Sequence, residues 1–89
     1  MIHNNIKVFG LVQGVGFRYS AIHKAKSLGI KGYVKNLYDG SVYIEAEGTQ
    51  EKINEFLYWC RQGPSHARVS DIEVNDGEIK NYRFFDVKY

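Results

Sequence analysis

The sequence predicts an α+β domain in which two helices cover one face of an antiparallel sheet. Three observations carry that expectation. Apolar residues recur at every second position in several short runs, the period of a half-buried strand. In two longer runs they recur at three- and four-residue spacing, the period of an amphipathic helix. The 89 residues suffice for one core and no more, so the runs belong to a single domain spanning 1–89.

The elements follow in order. Ile6, Val8, Gly10 and Val12 alternate with Lys7, Phe9 and Leu11, which reads as the first strand. Gln13 to Gly16 form a loop. From Phe17 or Arg18 to Leu28, Ala21, Ile22, Ala25 and Leu28 make one apolar stripe while His23, Lys24 and Lys26 face water. Gly29 stands where a helix C′ glycine belongs. The second strand runs from Ile30 to Asn36, and Leu37-Tyr38-Asp39-Gly40 is a turn. Strand three, Ser41 to Glu47, places Val42, Ile44 and Ala46 inward. Gly48 breaks it and Thr49 caps the next helix. Gln50 to Gln62 is that helix, with Ile53, Phe56, Leu57 and Cys60 at i, i+3, i+4, i+7. Gly63-Pro64-Ser65 ends it. Ala67 to Asn75 reads as strand four, and Tyr82 to Lys88 as a short last strand with Phe85 and Val87 inward. Strand, helix, strand, strand, helix, strand is the split βαβ, or ferredoxin-like, sandwich, here with a short C-terminal strand added. The uncovered sheet face is expected to carry Lys, Tyr and Glu side chains. Such a fold hosts many functions and decides none.

Composition removes several classes. The single Cys60 rules out an internal disulfide and a cysteine-based zinc site, and on its helical stripe it is expected in the core. His3, His23 and His66 are scattered without a partner pattern, so no metal is expected. The N-terminus has no signal pattern and no run approaches a membrane span, which points to the cytoplasm and away from a membrane partner. A net charge of +2 argues against bulk nucleic-acid binding. Nothing demands more than a monomer.

The stretch with chemical meaning is Gly10-Leu11-Val12-Gln13-Gly14-Val15-Gly16-Phe17-Arg18. Glycines at a strand-to-helix corner free the backbone, and the helix start beyond them offers unpaired N–H groups. Arg18 adds a planar fork suited to phosphate. The alternative is a plain tight turn with a solvated arginine. The dinucleotide fingerprint is absent because Tyr19 replaces its third glycine. A Walker loop is absent because no Gly-Lys-Ser/Thr follows. Asn36, before the turn, has its own local reading as a residue serving the backbone.

The loop resembles the acylphosphatase signature. A second stretch, Gly32-Tyr33-Val34-Lys35-Asn36 continuing through Gly40, Val42 and Gly48, resembles that family's other signature. Gly63-Pro64, Ala67-Arg68-Val69 and the ending Phe85-Asp86-Val87-Lys88-Tyr89 are similar to family features as well. The resemblance implies hydrolysis of an acyl phosphate to a carboxylate and inorganic phosphate, without metal, cofactor or covalent phosphoenzyme. It implies that the backbone of Gln13, Gly14, Val15, Gly16, Phe17 and Arg18 and the Arg18 side chain hold the phosphoryl group. Asn36 would orient the attacking water. The chain ends at Tyr89 without a linker, so a free-standing enzyme with a small-molecule substrate is expected. The competing class is a non-catalytic phosphate- or RNA-binding module. Lys31, Gly32, Tyr33 and Tyr38 match part of an RNA-recognition motif, but on the second strand rather than the third.

Overall fold

The computed structural model covers residues 1–89. The elements are β1 (Ile2–Leu11), α1 (Phe17–Ser27), β2 (Lys31–Asn36), β3 (Val42–Gly48), α2 (Gln50–Gln62), β4 (Arg68–Asp76) and β5 (Phe85–Val87). The sheet order is β4-β1-β3-β2-β5. β1 pairs antiparallel with β3 and β4, and β2 antiparallel with β3. The short β5 joins parallel to β2, so the sheet is mixed rather than wholly antiparallel. Several boundaries also differ from the sequence reading: β5 covers only Phe85–Val87 rather than Tyr82 to Lys88, β4 runs Arg68–Asp76 rather than Ala67 to Asn75, and β2 starts at Lys31 rather than Ile30. β1 starts at Ile2 instead of Ile6, and Gly48 pairs with Ile2 as the end of β3 instead of breaking it.

The register explains which side chains meet. Ile6 and Val8 of β1, Val42, Ile44 and Ala46 of β3, and Val34 of β2 are buried on one face. Both helices cover that face. α1 lies over β2 and β5, and α2 lies over β4, β1 and β3. Phe17, Ala21 and Ala25 of α1, and Ile53, Phe56 and Cys60 of α2, enter the core. Trp59 packs at its edge, against the rings of Phe17 and Phe56. Thr49 caps α2 by accepting from the Lys52 N–H at 3.3 Å. No helix is long and apolar enough to cross a membrane.

The opposite face carries Lys, Tyr and Glu, as their alternation requires. The chain from Gly77 to Phe84 crosses this face, because β4 and β5 stand at opposite edges of the sheet. Here the reading of His3 as a residue without partners is corrected. Its ring is buried directly across from Glu47. Nδ1 meets Glu47 Oε2 at 2.7 Å, and Nε2 meets Glu45 Oε1 at 2.9 Å. Both contacts join residues more than 40 positions apart, which no local spacing displays.

Glu47 also accepts from the backbone N–H groups of Lys80 and Tyr82. Glu45 accepts from the hydroxyls of Tyr33, Tyr43 and Tyr82. Burial alone would raise both carboxyls, but these hydrogen bonds and those from His3 outweigh it and hold each below its ordinary value. Burial, then the bond to Glu45 and its charge, push the Tyr33 phenol up to about 12. The same causes raise Tyr43 and Tyr82.

Candidate active site

β1 delivers the chain into the loop 13–16, and the loop turns directly into α1. Gly14 and Gly16 both have left-handed backbone, with φ of +73° and +78°, which an L side chain would strain although space is open at both. Gly16 is the N-cap of α1 and provides no side-chain cap. The first turn of α1 also holds no acidic residue, whereas α2 has Thr49 as cap and Glu51 in its first turn. The N-terminal N–H groups of α1 are thus left for an external anion, and its dipole points the same way.

Arg18 stands in that first turn. Its guanidinium lies 5.5 Å from the centre of the Tyr89 ring, and no carboxylate of the chain pairs with it. Its fork is free for a ligand. Asn36 arrives from the C-terminal end of β2, opposite Val42 of β3. Its Oδ1 is buried and has no hydrogen-bond partner, the sole side-chain atom in the molecule with that property. A buried acceptor left unpaired costs about 1–3 kcal/mol, so it marks a place where function competes with stability.

Gly14, Gly16, Phe17, Arg18 and Asn36 line one cavity of about 260 Å³. Five of the seven predicted site residues therefore converge, although 18 positions separate Arg18 from Asn36. The other two play different parts. The Val15 side chain packs against the core. The Gln13 amide donates to the carbonyls of Leu37 and Ser41, 2.8 Å each, tying the loop to the turn just beyond Asn36. One side chain thereby sets the distance between the two halves of the site. Sequence reasoning did not find this, because both acceptors are backbone atoms. It also missed Tyr19, Val87 and Tyr89 as lining residues and placed Ile22 wholly in the core. The i+4 spacing from Arg18 to Ile22 was the one available signal.

The cavity contains no Asp, Glu, His, Lys or Cys. It offers backbone donors, one guanidinium and one amide among apolar walls. Such a set can hold a doubly charged tetrahedral anion and direct a water at it, but it holds no carboxylate, imidazole, amine or thiol side chain for general acid or base work. No group of three or more His, Cys, Asp or Glu in the chain is arranged to hold a metal ion.

The acylphosphatase family model matches residues 4–87. Over 89 residues the chain is 52% identical to an acylphosphatase of Archaeoglobus fulgidus, with all of both chains covered. The crystal structure of acylphosphatase from Bacillus subtilis superposes with a TM-score of 0.97 at 36% identity, again covering 100% of each chain. An acylphosphatase from Coxiella burnetii superposes with a TM-score of 0.94 at 36% identity, covering 98% of this chain and 92% of that one.

Proposed function

Since the chain belongs to the acylphosphatase family and is an enzyme hydrolysing acyl phosphates to a carboxylate and inorganic phosphate, we propose how its site divides that work. The backbone of 13–18 and the Arg18 guanidinium hold the phosphoryl oxygens. Asn36 orients the water that attacks phosphorus. The observation that carries this reading is the buried, unpartnered Oδ1 of Asn36 in the cavity that Arg18 also lines. An amide oxygen there can accept a hydrogen bond from a water and so fix its direction of attack.

The reaction balances without further groups. The water oxygen bonds to phosphorus as the bond from phosphorus to the acyl oxygen breaks. The electron pair leaves with a carboxylate, whose conjugate acid has a pKa of about 4, so departure needs no general acid. The water's proton passes to a phosphoryl oxygen, since no Asp, Glu, His, Lys or Cys side chain lines the cavity to take it. Arg18 and the N–H groups neutralise the oxygens throughout, and being fixed beforehand they need no reorganisation as charge moves. The reading extends to a cytoplasmic monomer acting on a small molecule, which suits a chain whose one cysteine is buried and free.

The experiment is hydrolysis of benzoyl phosphate in chelator-treated buffer by wild type, Arg18→Ala and Asn36→Ala, with inorganic phosphate as competitor. Loss of both phosphate competition and turnover in the Arg18 variant, and of turnover alone in the Asn36 variant, supports the division. Near-normal turnover in either variant overturns it.

A further inference from the structure

The sheet face turned away from the helices is only partly covered. The segment 77–84 crosses it and is fastened on Glu45 and Glu47. Beyond that crossing, Lys7 of β1, Tyr43 of β3 and Lys35 of β2 stand side by side in register. Tyr33, two positions before Lys35, shares their face. Lys88 follows β5, whose Val87 pairs with Val34. The Tyr33 and Tyr43 hydroxyls both donate to Glu45 Oε2, at 3.0 and 2.9 Å, which holds the ring centres 6.1 Å apart. Both residues are half-buried, and what lies on their rings is cationic. Lys88 Nζ is 4.2 Å from the centre of Tyr33, and Lys35 Nζ is 6.0 Å from Tyr33 and 5.8 Å from Tyr43. An ammonium on an exposed ring is weakly held, so a base can take its place while the ammonium turns to a phosphate.

Four carboxylates border these groups. Glu45 is taken up by three tyrosine hydroxyls and His3, and Asp39 by Lys7 at 2.9 Å. Glu73 stands across from Lys7 on β4, and Asp86 beside Tyr33 on β5. Lys35 and Lys88 pair with no carboxylate. Free positive charge is therefore local to the β2–β5 end, where the two rings lie, although the whole chain carries only +2. None of Tyr33, Lys35, Tyr43 and Lys88 lines the cavity that holds Arg18.

We propose that this end of the open face binds a short stretch of single-stranded nucleic acid. Two consecutive bases rest on Tyr33 and Tyr43, and the flanking phosphates meet Lys88 and Lys35. A sheet whose open face carries aromatic rings is the platform on which single-stranded bases stack in other small domains. Rings accept any base and lysines any phosphate, so the site reads no sequence. The 6.1 Å between ring centres exceeds the rise of about 3.4 Å per nucleotide in a duplex strand, so an unstacked single strand fits and a duplex does not. An acidic peptide would satisfy the lysines and leave the rings unused.

The test is fluorescence anisotropy of a fluorescein-labelled oligouridylate titrated with wild type, Tyr43→Phe, Tyr43→Leu, Arg18→Ala and the double variant Lys35→Gln, Lys88→Gln. Wild type should bind with a Kd of about 100 µM at about 50 mM salt, the weak end of sequence-independent binding. Two phosphate contacts on a single strand predict a slope of about −1.4 in log K against log salt, and the double lysine variant brings it close to zero. Tyr43→Phe and Tyr43→Leu lose the same hydrogen bond to Glu45, so their difference reads the ring alone. Tyr43→Phe should bind like wild type and Tyr43→Leu at least about fivefold more weakly, with the slope unchanged. Arg18→Ala should bind like wild type. Equal affinity in Tyr43→Phe and Tyr43→Leu, or equal competition by polyglutamate, leaves a bare cationic patch and overturns the proposal. Loss of binding in Arg18→Ala, or competition by inorganic phosphate, moves the oligonucleotide to the catalytic cavity and overturns it too. So does a wild-type protein that leaves the anisotropy unchanged, and none of these results touches the hydrolytic reading.

Discussion

Asn36→Ala should separate activity from stability in opposite directions. The side-chain Oδ1 accepts no hydrogen bond within the fold and is buried without a partner. Truncation removes an acceptor whose burial costs about 1–3 kcal/mol, while some side-chain packing is lost. The backbone pairing of residue 36 with Val42 is kept. The net expectation is a stability change from about zero to roughly 1 kcal/mol in favour of the variant, or up to several degrees in Tm for a domain of this size. Turnover should fall about 10²- to 10³-fold, the usual cost of removing one preorganised polar group from an active site. Thermal unfolding by circular dichroism and steady-state hydrolysis of benzoyl phosphate on the same preparation measure the two effects. A variant that is clearly less stable and also inactive would show Asn36 serving the backbone turn, and the water-orienting role would fail.

Other perturbations test the remaining parts of the site and its support. Arg18→Lys should restore only part of what Arg18→Ala loses, because an ammonium cannot present the bidentate fork; the competition constant of inorganic phosphate reads this directly. Gln13→Ala removes two 2.8 Å hydrogen bonds between the loop and the 37–41 turn, so it should cost about 1–2 kcal/mol of stability and raise KM; denaturant midpoints and KM unchanged together would refute the spacer role. Glu45 and Glu47 have folded-state pKa values below their unfolded ones, so the unfolded chain takes up their protons first. Their stabilisation is present above about pH 4–5 and is lost as pH falls through the folded values, which acid titration of Tm follows. Tyr33 has the opposite sign: its raised pKa contributes below about pH 10 and is lost as pH rises toward about 12, visible as late phenolate absorbance.

How far the sequence announced this molecule depends on whether the deciding contacts are local. β3 and α2 obey their periods almost residue by residue, since one face of each is apolar and the other polar. His3, Asn4 and Asn5 conceal the start of β1 because they are polar, and the burial of His3 and Asn4 is made acceptable by Glu47, Glu45 and Asp76 across the sheet. Parallel pairing of β5 with β2 was hidden for a related reason. It depends on the route of residues 77–84 over the open face, which has no repeat of its own. At the site, glycines and Arg18 are chemically loud residue types. Tyr19 and Tyr89 are not, because an exposed tyrosine gains meaning only from what stands beside it. Asn36 became visible through a second motif and not through its neighbours.

The unsatisfied groups of the active site require an offset elsewhere, and an 89-residue domain has little reserve to provide it. The offset lies across the sheet. Asn81 has a φ of +59°, an unfavourable conformation for a non-glycine residue. That conformation lets the flanking N–H groups of Lys80 and Tyr82 converge on Glu47, as in a backbone anion nest, while His3 holds the same carboxylate from the sheet. Glu47 therefore fastens the crossing segment whose continuation supplies β5 and the Tyr89 ring over Arg18. Glu47→Gln keeps the shape, removes the charge and turns one acceptor into a donor facing other donors. Breaking such a buried arrangement costs about 3–5 kcal/mol. At several degrees per kcal/mol the Tm should drop by well over 10 °C. At temperatures where the variant remains folded, kcat for benzoyl phosphate should change far less than in Asn36→Ala, because Glu47 hydrogen-bonds only to His3, Lys80 and Tyr82, none of which lines the cavity. A Tm within a few degrees of wild type would mean that the segment is held by β5 pairing alone, and that the stability offsetting the site must be sought in the helices.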